Sequence, residues 1–282
     1  MHNALMVANR KSAARPPALI VDDTLPRVRV LTLNRPERLN ALDGPTLEAL
    51  QRAIGECAEP GRDVRVIVIR GAGRAFCSGS DLKWLAAVGA LDDPAVHLRN
   101  QDRMAATFAA IESCPQLVVA CVGGYAVAGG LELALACDLV VVADDAQLGD
   151  EHIRKNLLPS GGSSQRLPRR IGLPRAMYYL VTGRRMNGLE AERIGLASIA
   201  VPAAALDTAA LALAQEVAAA DAQAIAAMKS MARRALELPL ADGLQMERWT
   251  QFRYRNDSPA MLAGVRRFVA GGAAPDPSAQ PR

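Results

Sequence analysis

The sequence has few of the residues on which nucleic-acid binding depends. Only 4% of its 282 residues are aromatic, and no stripe of lysine and arginine is interleaved with aromatic side chains. The formal net charge is +4, with charges of both signs spread along the chain. This mild basicity suits a small anionic partner. We therefore expect no nucleic acid among the partners.

Histidines and cysteines are also sparse, which argues against a metal centre or a disulfide framework. The histidines are His2, His97 and His152, and the five cysteines include no CxxC pair. An odd number of cysteines in apolar surroundings predicts reduced, buried thiols. The N-terminus lacks the charged-then-apolar pattern of a signal peptide. We therefore expect a cytoplasmic protein without a metal site.

The chain divides by composition into four parts. Residues 1–17, which end in Arg-Pro-Pro, predict a flexible arm, and residues 271–282 predict a disordered tail. Residues 18–205 alternate strand and helix patterns and predict an α/β core. Residues 206–270 carry only amphipathic helical patterns. Their apolar faces either fold back on the core or pack against a neighbouring subunit.

The early part of the core predicts a strand–helix–strand unit. VRVLTL at 28–33 and VRVIVI at 64–69 are typical of strands. Between them, Asp43 is placed as a helix N-cap, with Pro45 in the first turn. This spacing indicates a parallel sheet.

Residues 116–143 form the longest apolar run and contain Glu132. The length alone would permit a membrane span. Two glycine pairs interrupt the run, however, and Glu132 would lie near the bilayer centre. We therefore expect no membrane partner. The pattern predicts a strand at 117–122, a glycine-rich loop, a helix at 129–137 and a strand at 139–143.

The junction between the loop and the helix has the features of an anion site. A helix begins with N–H groups that lack intrahelical partners and favour negative charge. Gly129 lets a ligand approach the backbone, and Glu132 lies one turn further on the same face. A carbonyl oxygen that gains charge beside a proton-transferring carboxylate would fit this pairing. The alternative is a structural turn with a hydrogen-bonded acid.

A second loop, at 71–83, contains two motifs that match known signatures incompletely. Its GxG lacks the third glycine of a dinucleotide site, and the SxxK beginning at Ser80 lacks its partner motifs. What remains is a run of small residues, 78–80, that lets a ligand approach the backbone. Asp81 is then the expected cap of a helix that begins near Leu82.

Four motifs, in this order, resemble the enoyl-CoA hydratase/isomerase (crotonase) family. They are LNRPERLNAL at 33–42, GAGRAFCSGSDLK at 71–83, the glycine-rich stretch at 123–143, and LPSGGSSQRLPRRIG at 158–172. The resemblance implies a spiral of ββα units with a helical C-terminal region. It also implies a homotrimer or a dimer of trimers. The substrate would be an acyl-CoA thioester, so coenzyme A enters as part of the substrate and no bound cofactor is expected.

The resemblance also assigns residues to the binding of the thioester. The backbone N–H groups of Ser80 and Gly129 would form an oxyanion hole for the enolate. Arg35 and Lys83 match positions that run close to the nucleotide half of CoA, and Asp81 and Leu82 belong to the same loop. The alternative for the two basic residues is a solvated surface charge.

The catalytic positions depart from the family pattern. The first of two expected glutamates falls on Glu132, but the second falls on His152, with Glu151 next to it. We expect hydration of a 2-enoyl-CoA, with Glu132 as principal base or acid and His152 moving the other proton. In a second case Glu132 works alone as an enoyl-CoA isomerase. In a third, His152 is structural, and the protein performs other enolate chemistry or only binds acyl-CoA.

Overall fold

The computed structural model describes residues 16–271. Most of the predicted arm and tail, residues 1–15 and 272–282, therefore lies outside the described residues. The strands are β1 Leu19–Asp22, β2 Val28–Leu33, β3 Val66–Gly71, β4 Ala75–Cys77, β5 Leu117–Val122, β6 Tyr125–Val127, β7 Leu139–Ala143, β8 Gln147–Gly149 and β9 Ile199–Val201. The helices are α1 Gly44–Gly55, α2 Leu82–Ala87, α3 Pro94–Ser113, α4 Gly129–Ala136, α5 Ser163–Ile171, α6 Leu173–Thr182, α7 Gly188–Arg193, α8 Leu206–Ala218, α9 Ala222–Arg234, α10 Leu240–Asp257 and α11 Pro259–Val269.

The larger of two sheets forms the centre of the core. Its strand order is β1-β2-β3-β5-β7-β9, and only β1 runs antiparallel to its neighbour. Every residue of β2 is buried, and so are the apolar residues that begin β3. Parallel strands covered on both faces are typically continuous apolar runs, which explains the VRVLTL and VRVIVI patterns.

The smaller sheet consists of three parallel strands in the order β4-β6-β8. Each of these strands directly follows a strand of the larger sheet, so the chain passes three times from the larger sheet to the smaller one and then into helix. This arrangement is the repeated ββα unit that the resemblance implied. The α/β fold class is therefore confirmed.

The C-terminal helices divide into two groups. Helix α8 buries Ala210, Ala214 and Ala218, four residues apart, and packs against the larger sheet. In contrast, α10 and α11 bury no residue, and Trp249 and Phe268 on them are exposed. Folding back on the core thus accounts for α8 but leaves the apolar side chains of α10 and α11 uncovered in one copy of the chain.

The element boundaries agree closely with the sequence patterns except in the shortest strands. The structure starts β3 two residues later than predicted, and β1, β4, β6 and β8 were not predicted at all. Three of those four strands have only three residues, which is too short for an alternating pattern to stand out.

Asp138, the second acid of the central run at 116–143, has a structural role. Its carboxylate accepts a hydrogen bond from the backbone of Val118 at 2.8 Å. It also forms ion pairs with Lys229 at 2.9 Å and Arg233 at 2.7 Å. A buried carboxylate with such partners fixes α9 against the end of β5.

No single helix within residues 16–271 is both long enough and apolar enough to cross a membrane. The pair Ala203–Ala218 and Ala222–Arg234 meets the length and composition criteria together, but the two parts are bent by 108°.

Candidate active site

The smaller sheet gathers the candidate residues. Ser80 follows the end of β4, Gly129 follows the end of β6, and His152 follows the end of β8. Because β4, β6 and β8 are adjacent and parallel, their carboxyl ends lie at one edge of the sheet. In open α/β sheets, ligands bind at this edge.

The two predicted oxyanion loops touch each other. A Cβ placed on Gly79 would stand 2.8 Å from the Gly129 nitrogen, and one on Gly129 would stand 3.4 Å from the Ser80 nitrogen. Within the described part of the chain, neither the Ser80 N–H nor the Gly129 N–H donates a hydrogen bond. Two free donors this close together can hold one anionic oxygen.

Buried ion pairs hold the first oxyanion loop in place. Arg35 contacts Asp81 at 2.7 Å and Asp43 at 3.0 Å, and all three side chains are largely buried. Burial opposes ionisation of Asp81, but hydrogen bonds from Arg35 and the Trp84 backbone lower its pKa. Asp81 also caps α2 through the Trp84 N–H, as predicted.

These contacts change the interpretation of the residues predicted to bind CoA. Arg35 is neither solvated nor free, because its guanidinium is committed to two carboxylates inside the protein. Leu82 and Lys83 are exposed at the start of α2. Contact of these side chains with CoA stays a prediction, and the geometry gives Arg35 and Asp81 a structural role.

Glu132 is fully buried on α4, with one carboxylate oxygen bonded and the other free. Its Oε1 accepts hydrogen bonds from the Gly161 N–H at 2.8 Å and the Ser163 N–H at 3.1 Å. Its Oε2 has no hydrogen-bond partner in residues 16–271. Burial raises the pKa of Glu132, partly offset by these N–H donors and by His152. A carboxyl with a raised pKa is a stronger base when ionised and a more available acid when protonated.

His152 faces the free oxygen of Glu132. Its Nε2 lies 4.0 Å from Glu132 Oε2, and its Nδ1 lies 3.0 Å from Asp150 Oδ2. Burial lowers the pKa of His152, but the carboxylates of Asp150 and Glu132 outweigh it, so the pKa is raised. The neighbouring Glu151 points elsewhere and pairs with Arg154 and Arg185. The histidine, not Glu151, thus faces Glu132 at the position where the resemblance expects the second glutamate.

A cleft opens beside these groups, between α1, α2 and α3. Its lining includes Ser80 of the oxyanion loop and Ser160, which precedes the Gly161 donor. The other lining residues are Leu42, Gly44, Leu47, Trp84, Leu85, His97, Asn100, Gln101 and Met104. The cleft therefore adjoins both the predicted oxyanion loop and the loop that donates to Glu132.

Sequence reasoning missed three contributors to the site: Asp150, Gly161 and Ser163. Asp150 lies two residues before His152 and is buried. The other two belong to the SGGSS run, where the resemblance was noted but no role was assigned. The available signal for Asp150 was its spacing, as an acid two residues before the candidate histidine.

Comparison with known proteins agrees with this geometry. The sequence model of the family described as Enoyl-CoA hydratase/isomerase matches residues 25–272. A probable enoyl-CoA hydratase, echA8, from Mycobacterium tuberculosis (strain CDC 1551 / Oshkosh) is 36% identical over 244 residues, which cover 86% of this chain and 92% of the relative. A putative enoyl-CoA hydratase/isomerase, YngF, from Bacillus subtilis (strain 168) is 37% identical over 219 residues, covering 77% and 82%.

Solved structures show the same relationship. The enoyl-CoA hydratase from Bacillus anthracis superposes with a TM-score of 0.85 at 32% identity, covering 90% of this chain and 96% of that one. DspI from Pseudomonas aeruginosa gives 0.84 at 29% identity, covering 93% and 97%. The chain belongs to the enoyl-CoA hydratase/isomerase family, as the resemblance indicated.

Proposed function

We propose that the protein adds water across the double bond of a 2-enoyl-CoA. The supporting observation is the 4.0 Å gap between Glu132 Oε2 and His152 Nε2. A water oxygen about 2.8 Å from both atoms would fit this gap with an angle of roughly 90° between the two hydrogen bonds. A separation too long for a direct bond but suited to one bridging oxygen favours activation of water.

In this proposal the thioester oxygen sits between the Ser80 and Gly129 N–H groups. Their dipoles draw charge from the C2–C3 double bond and stabilise the enolate. Glu132 takes a proton from the water, and the water oxygen forms a bond to C3. The imidazolium of His152 gives its proton to C2, which yields the 3-hydroxyacyl-CoA.

The proton balance closes within the pair. After the addition, Glu132 holds the proton that came from water and His152 is neutral. Transfer of that proton from Glu132 to His152 restores the starting state. Burial raises the pKa of Glu132, and the facing carboxylates raise the pKa of His152. The proton can therefore return from one group to the other without an outside acid.

An assay with two substrates tests this function. Loss of the enoyl-thioester absorbance band from a short 2-enoyl-CoA is the expected result. Gain of that band from a 3-enoyl-CoA, with no loss from the 2-enoyl substrate, would instead indicate isomerisation by Glu132 alone. Affinity for CoA esters without turnover of either substrate would indicate an acyl-CoA-binding protein.

Variants of Glu132 distinguish catalysis from binding. Glu132→Gln keeps the shape of the side chain and removes the base, so turnover should fall by about 10²-fold or more. Binding of the CoA thioester, measured by calorimetry, should change little. Activity close to that of the wild type would remove Glu132 from its central role.

We also propose self-association, as a trimer or a dimer of trimers. The exposed apolar side chains of α10 and α11, among them Trp249, Phe252 and Phe268, support it. Light scattering behind size exclusion tests the proposal, and a monomer at micromolar concentration would contradict it.

A further inference from the structure

Asp150 is a buried carboxylate beside His152. It is 1% exposed, and its Oδ2 lies 3.0 Å from His152 Nδ1. Its other oxygen accepts a hydrogen bond from the His152 backbone N–H at 3.3 Å. Both oxygens of one carboxylate thus contact the same residue.

This geometry favours one ring nitrogen of His152 as the working one. Asp150 Oδ2 lies at ion-pair distance, 3.0 Å, from Nδ1, although the two atoms are not aligned as a hydrogen bond. Two unprotonated acceptors this close would repel each other, so the carboxylate favours a hydrogen on Nδ1. The nitrogen that loses and regains its proton is then Nε2, which faces Glu132. An imidazole anchored at one nitrogen by a carboxylate and aimed at the reacting atoms with the other is a recurrent catalytic arrangement.

We propose that Asp150 is a positioning residue, which keeps His152 in the imidazolium form with Nε2–H directed at the substrate. This inference rests on the proposed hydration. Its consequence is a division of roles: the proton shared by the two groups resides on His152, and Glu132 is left as the base.

The charges around His152 favour this state. Asp150 and Glu132 face the ring and stabilise the imidazolium, while Lys155 on the same 3-10 turn opposes it. Burial alone would disfavour ionised Asp150, but contacts from the side chains of His152 and Ser163 lower its pKa. Asp150 therefore remains charged over the pH range in which His152 titrates.

NMR titration of the imidazole tests the pairing without relying on activity. The signal of His152 is identified by its loss in His152→Ala. In the wild-type protein, neutral His152 should carry its hydrogen on Nδ1. Asp150→Asn should move the midpoint of the His152 titration to lower pH, because the amide no longer stabilises the imidazolium.

Glu151→Gln provides the matched control. It also removes one negative charge next to His152, but Glu151 pairs with Arg154 and Arg185 instead of the ring. The midpoint of the His152 titration in Glu151→Gln should stay near that of the wild type. Equal shifts in the two variants, or no shift in Asp150→Asn, would overturn the proposal. A wild-type ring with its neutral hydrogen on Nε2 would overturn it even if Asp150→Asn failed to fold.

The hydration assay then connects the pair to catalysis. Since the reaction needs the imidazolium, the alkaline limb of the kcat profile should move to lower pH in Asp150→Asn. At a pH on that limb, kcat should fall about 10-fold or more, with KM nearly unchanged. An unshifted limb would refute the positioning role. Absence of hydration in the wild type, with the NMR shift present, would refute the proposed function and leave the Asp150–His152 pairing standing.

Discussion

Gly161 both binds Glu132 and leaves room for it. Its N–H donates to Glu132 Oε1 at 2.8 Å, yet a Cβ on Gly161 would stand 2.6 Å from Glu132 Oε2 and 2.7 Å from the Phe108 ring. The position therefore tolerates no side chain while Glu132 keeps its orientation. This requirement is steric, because Gly161 is not among the glycines with positive φ.

Gly161→Ala should displace the Glu132 carboxylate and lower kcat by about 10²-fold, since small misplacements of a catalytic group are costly. The measurement is steady-state hydration of a short 2-enoyl-CoA. Gly55→Ala, on α1, is a suitable control, because no atom would lie within 4 Å of its Cβ. Full activity in Gly161→Ala would show that the position of Glu132 does not depend on this contact.

The loop that holds Gly161 is anchored by a chain of ion pairs. Arg166 donates to the Gly161 carbonyl and binds Glu112 through two hydrogen bonds of 2.7 Å. Glu112 in turn pairs with Arg233, which reaches Asp138. This series of ion pairs links α9 to Gly161, which donates to Glu132.

Arg166→Lys removes the paired hydrogen bonds but keeps the charge. We expect a loss of about 1–3 kcal/mol in the free energy of unfolding and a several-fold lower kcat. Chemical denaturation and the hydration assay provide the two measurements. Arg193→Lys, at an exposed pair with Glu190, should change stability by less than about 1 kcal/mol. Equal effects in both variants would contradict the anchoring role.

Trp84 closes the cleft over Gly44. A Cβ on Gly44 would lie 2.7 Å from the Trp84 ring, so the ring rests directly on the backbone of α1. Trp84→Ala should open the cleft and shift kcat/KM towards longer acyl chains, by about 10-fold or more per well-accommodated methylene. A series of 2-enoyl-CoA substrates measures the shift. Leu91→Ala, at an exposed position, is the control and should leave the chain-length preference unchanged. An unchanged chain-length preference in Trp84→Ala would show that the acyl group binds elsewhere.

Ala128, before the oxyanion glycine, has a backbone conformation that favours glycine. Its φ of 52° and ψ of −122° lie outside the regions usual for alanine. Ala128→Gly should relieve this strain and stabilise the protein by about 1 kcal/mol, after allowance for the greater freedom of the unfolded chain. Thermal unfolding tests this expectation.

Gly129→Ala, one residue later, should damage the loop instead of relaxing it. Its Cβ would stand 3.1 Å from the Gly79 Cα and push the two oxyanion loops apart. Hydration should fall on the order of 10²-fold, as for loss of an oxyanion donor. Destabilisation by Ala128→Gly, or activity retained in Gly129→Ala, would contradict this description of the loop.

The sequence predicted the long elements well because their patterns reflect burial. The boundaries of β5 and β7 agree with the predictions, since each is a buried apolar run. Glu132 was found for the same reason, because a lone carboxylate in an apolar run is conspicuous.

The site could be predicted only in part, because the smaller sheet brings its residues together from distant parts of the sequence. Strands of three residues carry almost no pattern, and the pairing of β4, β6 and β8 brings Ser80, Gly129 and His152 to one edge. The roles of Arg35 and Asp138 were likewise invisible, since ion pairs across 46 and 95 residues leave no local signal. The sequence also left open whether His152 or Glu151 faces Glu132. The conformation of the turn after β8 decides this, and it cannot be read from the sequence.

The most direct test of two-residue hydration is the effect of His152→Ala on water addition to a short 2-enoyl-CoA. Loss of the acid should lower kcat by about 10²-fold or more, while the affinity for the CoA thioester remains near that of the wild type. Isomerisation of a 3-enoyl-CoA, where it occurs, should be affected far less. Hydration at the wild-type rate, or equal losses in both reactions, would contradict the assignment of His152 as the second catalytic group.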